Sequence, residues 1–117
     1  MTRFGEYVRA LREKQLLESK EFSVRKVAYK IGVEPAFLSK VERDIVPPPS
    51  EAKIIALADL LGADRDVLLA LAGKVSSDVL DVIRSRPVLF AELVRRLKEE
   101  PDHAVLRIVR DVKDGEW

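Results

Sequence analysis

Apolar side chains recur along this chain at helical spacing, in short runs separated by glycine, proline and capping residues. Phe4, Tyr7, Val8, Leu11 and Leu16 share one face of a first helix, with Arg9, Arg12, Glu13 and Lys14 largely off it. The charged segment from Lys14 to Phe22 either extends that helix or forms a projecting loop. Val24, Val27, Ala28 and Ile31 repeat at i, i+3, i+4, i+7 and predict a second helix, capped by Ser23 and stopped by Gly32. Pro35 suits the first turn of a third, where its missing N–H is no loss. That helix carries two opposed stripes: Phe37, Leu38, Val41 and Ile45 inside, and Ala36, Ser39, Lys40 and Arg43 outside.

Val46-Pro47-Pro48-Pro49 reads as a stiff extended connector, a rigid spacer rather than a polyproline ligand. Ser50 and Glu51 open a fourth helix with Ile54, Ile55, Leu57, Ala58 and Leu61 apolar. Gly62 ends it, and Asp64 caps a fifth with Val67, Leu68 and Leu71 inward and Gly73 at its end. Lys74-Val75-Ser76-Ser77 reads as a linker. Beyond it, Val79, Leu80 and Ile83 mark a short helix. Pro87 starts another, whose wide stripe is Leu89, Phe90, Leu93, Val94 and Leu97, with Arg95, Arg96 and Lys98 on its other side. Pro101 breaks the chain before a last face of Val105, Leu106, Ile108, Val109 and Val112, and Asp114, Gly115 and Glu116 read as a frayed tail.

Composition narrows the chemistry. The 117 residues are 47% apolar and carry a formal net charge of +1. Residues 1–50 hold 10 Lys/Arg against 7 Asp/Glu, whereas residues 51–117 hold 11 against 13, so the first part attracts phosphates more than the second. The absence of cysteine excludes disulfides, thiolate metal sites and cysteine nucleophiles. The charged N-terminus lacks a signal-peptide core, and no stretch approaches the roughly 20 apolar residues of a membrane span. A soluble, cytoplasmic protein is therefore expected. No catalytic constellation is evident: His103 is the only histidine, and there is no glycine-rich phosphate loop or metal-ligand spacing. Neither an enzyme activity nor a cofactor or metal is expected.

A short helix with a small, polar and basic outer face fits a DNA major groove, although such a stripe can also be merely solvated. The residue identities favour the groove. The run from Gly32 to Arg43, G-V-x-P-x-F-L-S-K-V-E-R, closely resembles the recognition segment of the Xre/Cro, lambda-repressor-like helix-turn-helix family, and the resemblance extends from Phe4 to Gly73. It implies an all-α fold: a five-helix lambda-repressor-like DNA-binding domain over residues 1–73, followed by a helical extension over 74–117.

By that resemblance Pro35, Ala36, Ser39 and Lys40 read bases, while Ser23, Arg25, Lys26 and Arg43 meet phosphates. Arg12 and Glu42 form a structural ion pair between the first and third helices. The chain departs from the family in four places, one of them the base-reading pair Pro35 and Ala36, where members often have polar residues. Val24 stands where many members have a phosphate-binding glutamine, Asp44 where glycine is common, and the 14–22 segment is longer and puts Lys20 within reach of a phosphate. Asp44 still permits the turn, because Asp tolerates the left-handed region.

The implied function is a DNA-binding transcriptional regulator, a repressor, of bacterial or phage origin. An antitoxin-like or accessory regulator whose C-terminal helices grip a partner protein is the alternative. One recognition helix reads too few base pairs to find a genomic site, so a homodimer on a palindromic operator is expected, joined through residues 78–112 with Leu89, Phe90, Leu93, Val94 and Leu97 at its centre. The competing arrangement folds those helices back onto the first domain.

Overall fold

The computed structural model describes residues 2–115, and all regular structure among them is helical. The chain divides into two units, one ending at Ser76 and the other beginning at Ser77.

In the first unit, α1 spans Phe4–Leu16, α2 Val24–Ile31, α3 Pro35–Glu42, α4 Glu51–Leu61 and α5 Arg65–Leu71, with a 3-10 turn at Lys20–Phe22. Side-chain caps set three of these starts. Ser23 Oγ accepts from Lys26 N–H at 3.2 Å, Ser50 Oγ from Lys53 N–H at 3.4 Å, and Asp64 Oδ1 from Asp66 N–H at 2.8 Å. Their apolar stripes converge on one core, with Val8, Val27, Leu38, Val41, Ile54, Leu57, Leu68 and Leu69 fully enclosed. Phe4, Ala28, Ile31, Ala58 and Leu61 complete it.

The start of α1 is capped from a distance. Arg3, its N-cap residue, makes no side-chain cap hydrogen bond. Instead Asp44, just past α3, accepts from Gly5 N–H through Oδ1 at 2.9 Å. Asp44 takes φ 57 to do so. The close approach requires glycine at position 5. A Cβ there would run into the Val41 carbonyl oxygen and lie 2.7 Å from Asp44 Oδ1.

Several side chains depart from the helical-wheel expectation. Ile45 lies beyond the end of α3, after the left-handed Asp44, and is 61% exposed, so the inner stripe stops at Val41. In α5 Leu68 is buried and Leu71 packs against the core as expected, but Leu69 is buried as well, while Val67 is 47% exposed. Leu16, at the end of α1, is at the surface. The 14–22 segment neither lengthens α1 past Leu16 nor projects. Gln15 Nε2 donates to the Leu61 carbonyl at 2.5 Å, and the 3-10 turn packs the half-buried Phe22 against the core. Ser77 begins a helix rather than ending a linker.

The second unit contains α6 (Ser77–Ser85), α7 (Pro87–Leu97) and α8 (Asp102–Asp114). None of these helices contains a buried residue. Of the expected tail, Asp114 is helical and Gly115 is extended, and Glu116 lies outside the described residues.

Candidate nucleic-acid interface

The α2–α3 hairpin is fixed by its turn. Gly32 takes φ +76, a region that costs glycine little, and the N–H of Val33 reaches back to the Ala28 carbonyl at 2.9 Å. Lys53 Nζ closes the turn from α4, donating to the carbonyls of Ile31 at 2.8 Å and Gly32 at 3.3 Å. These bonds satisfy carbonyls at the end of α2 and set the angle at which α3 leaves the turn.

α3 is held from beneath by a buried ion pair. Arg12 Nε donates to Glu42 Oε2 at 2.6 Å and Arg12 Nη2 to Glu42 Oε1 at 2.9 Å, a bidentate arrangement in which both residues are 5% exposed. Arg12 Nη1 donates to the Phe22 carbonyl at 3.1 Å. One guanidinium thus ties α1, the 3-10 turn and α3 together. Arg12 lies at the edge of the apolar stripe of α1, and its length carries the charge under α3.

The outer face of α3 is left to solvent. Pro35, Ala36, Lys40 and Arg43 are exposed and Ser39 is half-buried. Arg43 Nε donates to the Ser39 carbonyl at 3.3 Å. A recess of about 140 Å³ between α1, α2 and α3 gathers Ser39 and Arg43 beside Val24, at the start of α2, and Arg9. Arg25 and Lys26 are exposed in the first turn of α2, and Ser23 is half-buried with its oxygen engaged in the cap.

Among the described residues, ion pairs engage Arg9 with Glu13, Lys30 with Glu21, Arg65 with Asp59, and Arg96 with Glu92. They engage none of Arg25, Lys26, Lys40 and Arg43, although Lys26 acts through space on the Glu21 carboxyl. The paired carboxylates are correspondingly perturbed. Hydrogen bonds from Arg9, Lys30 and Arg65 hold Glu13, Glu21 and Asp59 below their ordinary values. Lys20 is exposed on the 3-10 turn.

Two exposed residues on this face escaped the sequence reading. Tyr29, 85% exposed, lies one turn beyond Arg25 on α2, and its place off the Val24–Ile31 stripe was the available signal. Glu34, the N-cap residue of α3, is exposed and makes no side-chain cap bond, so an acidic group stands at the tip of the basic helix.

A family model described as a helix-turn-helix domain matches residues 3–71, well over half the chain. The chain belongs to the helix-turn-helix domain family. No curated protein and no solved structure matches it. The matched helix-turn-helix segment contains the whole α2–α3 hairpin and the Arg12–Glu42 pair beneath it, and it ends at Leu71, the last residue of α5. Among the described residues, no cluster of His, Cys, Asp or Glu could hold a metal ion, and no helix is long and apolar enough to cross a membrane.

Proposed function

We propose that this helix-turn-helix protein is a sequence-specific regulator of transcription that binds double-stranded DNA in the manner of the Xre/Cro, lambda-repressor-like proteins, and that it acts as a repressor. The observation that carries this reading is the outward stripe of Ala36, Ser39, Lys40 and Arg43 on α3, half-buried at Ser39 and exposed elsewhere, whose two cations form no ion pair among the described residues. Inserted into the major groove, α3 presents Pro35 and Ala36 to apolar base features such as the thymine methyl. Ser39 donates or accepts, and Lys40 donates to guanine O6 and N7. Ser23 and the backbone N–H groups at the start of α2, with Arg25, Lys26 and Arg43, hold phosphates on either side and set the register. Two copies on a palindromic operator place their recognition helices one duplex turn apart, about 34–36 Å.

Selection of bound sequences from random duplex DNA tests the reading. A defined two-fold symmetric site is expected. Lys40→Ala then costs roughly 1–3 kcal/mol at one base position and relaxes preference there. Failure to enrich any sequence refutes the proposal. A uniform loss across all sequences in Lys40→Ala would reassign Lys40 to the phosphate backbone.

A further inference from the structure

At the leading end of α3 the polar chemistry falls to one side chain, Glu34. Pro35 and Ala36, in the first turn, have no side-chain donor or acceptor, and Pro35 lacks a backbone N–H as well. Phe37 packs against the core, and the next polar residue, Ser39, is half-buried. Glu34 directly precedes Pro35, exposed and in extended backbone, with φ −71 and ψ 140. It holds the N-cap position, where a short side chain such as Ser or Asp ordinarily accepts from the helix start. Its carboxylate makes no such bond. Nor does it form an ion pair among the described residues. The fixed Gly32 turn on one side and the Pro35 ring on the other limit where this acid can stand.

We infer that Glu34 determines specificity: its carboxylate accepts from the N4 amine of a cytosine at the base pair met by the tip of α3. The inference rests on the reading of α3 as the helix that enters the major groove. A carboxylate accepts hydrogen bonds and donates none. On the major-groove edge guanine presents N7 and O6 and thymine presents O4, all acceptors that oppose it. Adenine has an amine but sets N7 beside it, whereas cytosine shows its N4 amine with no acceptor on its own edge. Toward phosphate the same charge is repulsive, so Glu34 weakens binding to any duplex that lacks the amine. Lys40 lies six positions on, about 9 Å along the helix, and addresses a different base pair. The two ends of the exposed face therefore ask for opposite patterns, a donor at the Glu34 end and acceptors at the Lys40 end.

The test is selection from random duplex DNA with the full-length wild type, Glu34→Ala and Glu34→Gln, each shown by its melting temperature to be folded. The wild type should fix a C·G pair that Glu34→Ala no longer prefers, while preferences at the other pairs are kept. Exchanging that pair for another should cost the wild type about tenfold in affinity and Glu34→Ala about twofold or less. Glu34→Gln, whose amide both donates and accepts, should turn the preference toward adenine, matching N6 and N7. A duplex of unrelated sequence should bind Glu34→Ala more tightly than the wild type. A selected site that is the same for the wild type and Glu34→Ala overturns the inference. So does a uniform rise in affinity with preference unchanged, which leaves Glu34 as a charge that only repels phosphate. A preference lost at an A·T pair overturns it as well. A wild-type protein that enriches no sequence refutes the DNA reading and this inference with it, whereas an enriched site indifferent to residue 34 refutes this inference alone.

Discussion

Removing the guanidinium of Arg12 should nearly unfold the first unit. The side chain makes three hydrogen bonds: two to the Glu42 carboxylate, at 2.6 and 2.9 Å, and one to the Phe22 carbonyl at 3.1 Å. In Arg12→Ala the Glu42 carboxylate keeps its position at 5% exposure with its counter-charge gone. Breaking a buried pair on one side costs about 3–5 kcal/mol, because the remaining charge is left without compensation. The Phe22 carbonyl also loses this donor; Phe22 is half-buried, which keeps that loss near the low end of roughly 1–3 kcal/mol. The melting temperature of a unit this small moves about 4–8 °C per kcal/mol, so a fall of about 12–40 °C is expected from the pair alone. The double variant Arg12→Met with Glu42→Leu removes both charges and keeps apolar volume. It should recover most of the loss and remain about 1 kcal/mol below wild type, chiefly through the Phe22 carbonyl. Urea denaturation followed by circular dichroism, on the two single variants and the double, measures the coupling. An Arg12→Ala loss below about 1 kcal/mol, the range of a solvated surface pair, would refute the reasoning, as would a double variant no more stable than the singles.

Three further outcomes follow from the same geometry. Arg43→Ala should weaken DNA binding without altering sequence preference and reduce the slope of log affinity against log salt by about one, and an unchanged slope in a fluorescence-anisotropy titration would take Arg43 out of the phosphate footprint. Asp44→Ala should destabilise by about 1–3 kcal/mol, because it removes the cap on Gly5 and puts at φ 57 a residue that tolerates the left-handed region less well than Asp, whereas Asp44→Gly loses only the cap and should fall by less; equal melting temperatures would contradict this. Glu13 and Glu21 are held below 4.5 and Asp59 below 3.8 by hydrogen bonds from Arg9, Lys30 and Arg65, so their contribution to stability is complete above those values and is lost as pH falls below them. Asp59→Asn should therefore make the acid decline of the melting temperature shallower, and a decline identical to wild type would mean that the Asp59–Arg65 pair is silent in solution.

The sequence made helix boundaries legible wherever a side chain or a glycine sets them. Ser23, Ser50 and Asp64 act as caps through short, local hydrogen bonds, which sequence spacing can express. Side assignment failed where the helix is too short to define its phase. In the seven residues of α5, the consecutive Val67, Leu68 and Leu69 fit more than one stripe, and packing against α4 chose Leu68 and Leu69. Periodicity also cannot be carried through a left-handed residue, which is why Ile45 fell on the wrong side of Asp44. The charge of the 14–22 segment suggested solvent. Its anchors are the Gln15 amide, the Phe22 ring and the Phe22 carbonyl, all tied to residues distant in sequence. The outer stripe of α3 was readable as a stripe, while the assignment of individual residues to bases or phosphates rests on the family resemblance. Neither source could say which lysines and arginines would be neutralised by neighbours, since that depends on the reach of long side chains across the surface.

The distant cap of α1 orders events during synthesis. A chain emerging from its N-terminus exposes α1 well before the residue that satisfies its first turn, because Asp44 lies 39 positions beyond Gly5. Until α3 has emerged and turned back, the α1 start has only water for its open N–H groups, and the helix frays from that end. Closing the contact between Gly5 and Asp44 also brings the chain past the Val41 carbonyl at a spacing only glycine tolerates. Positions 5 and 44 are therefore bound together through time as well as in space. A substitution that enlarges residue 5 is felt at the moment the two ends of the α1–α3 segment meet, and relief has to come from a compensating change near position 44 rather than from the neighbours of residue 5 in sequence.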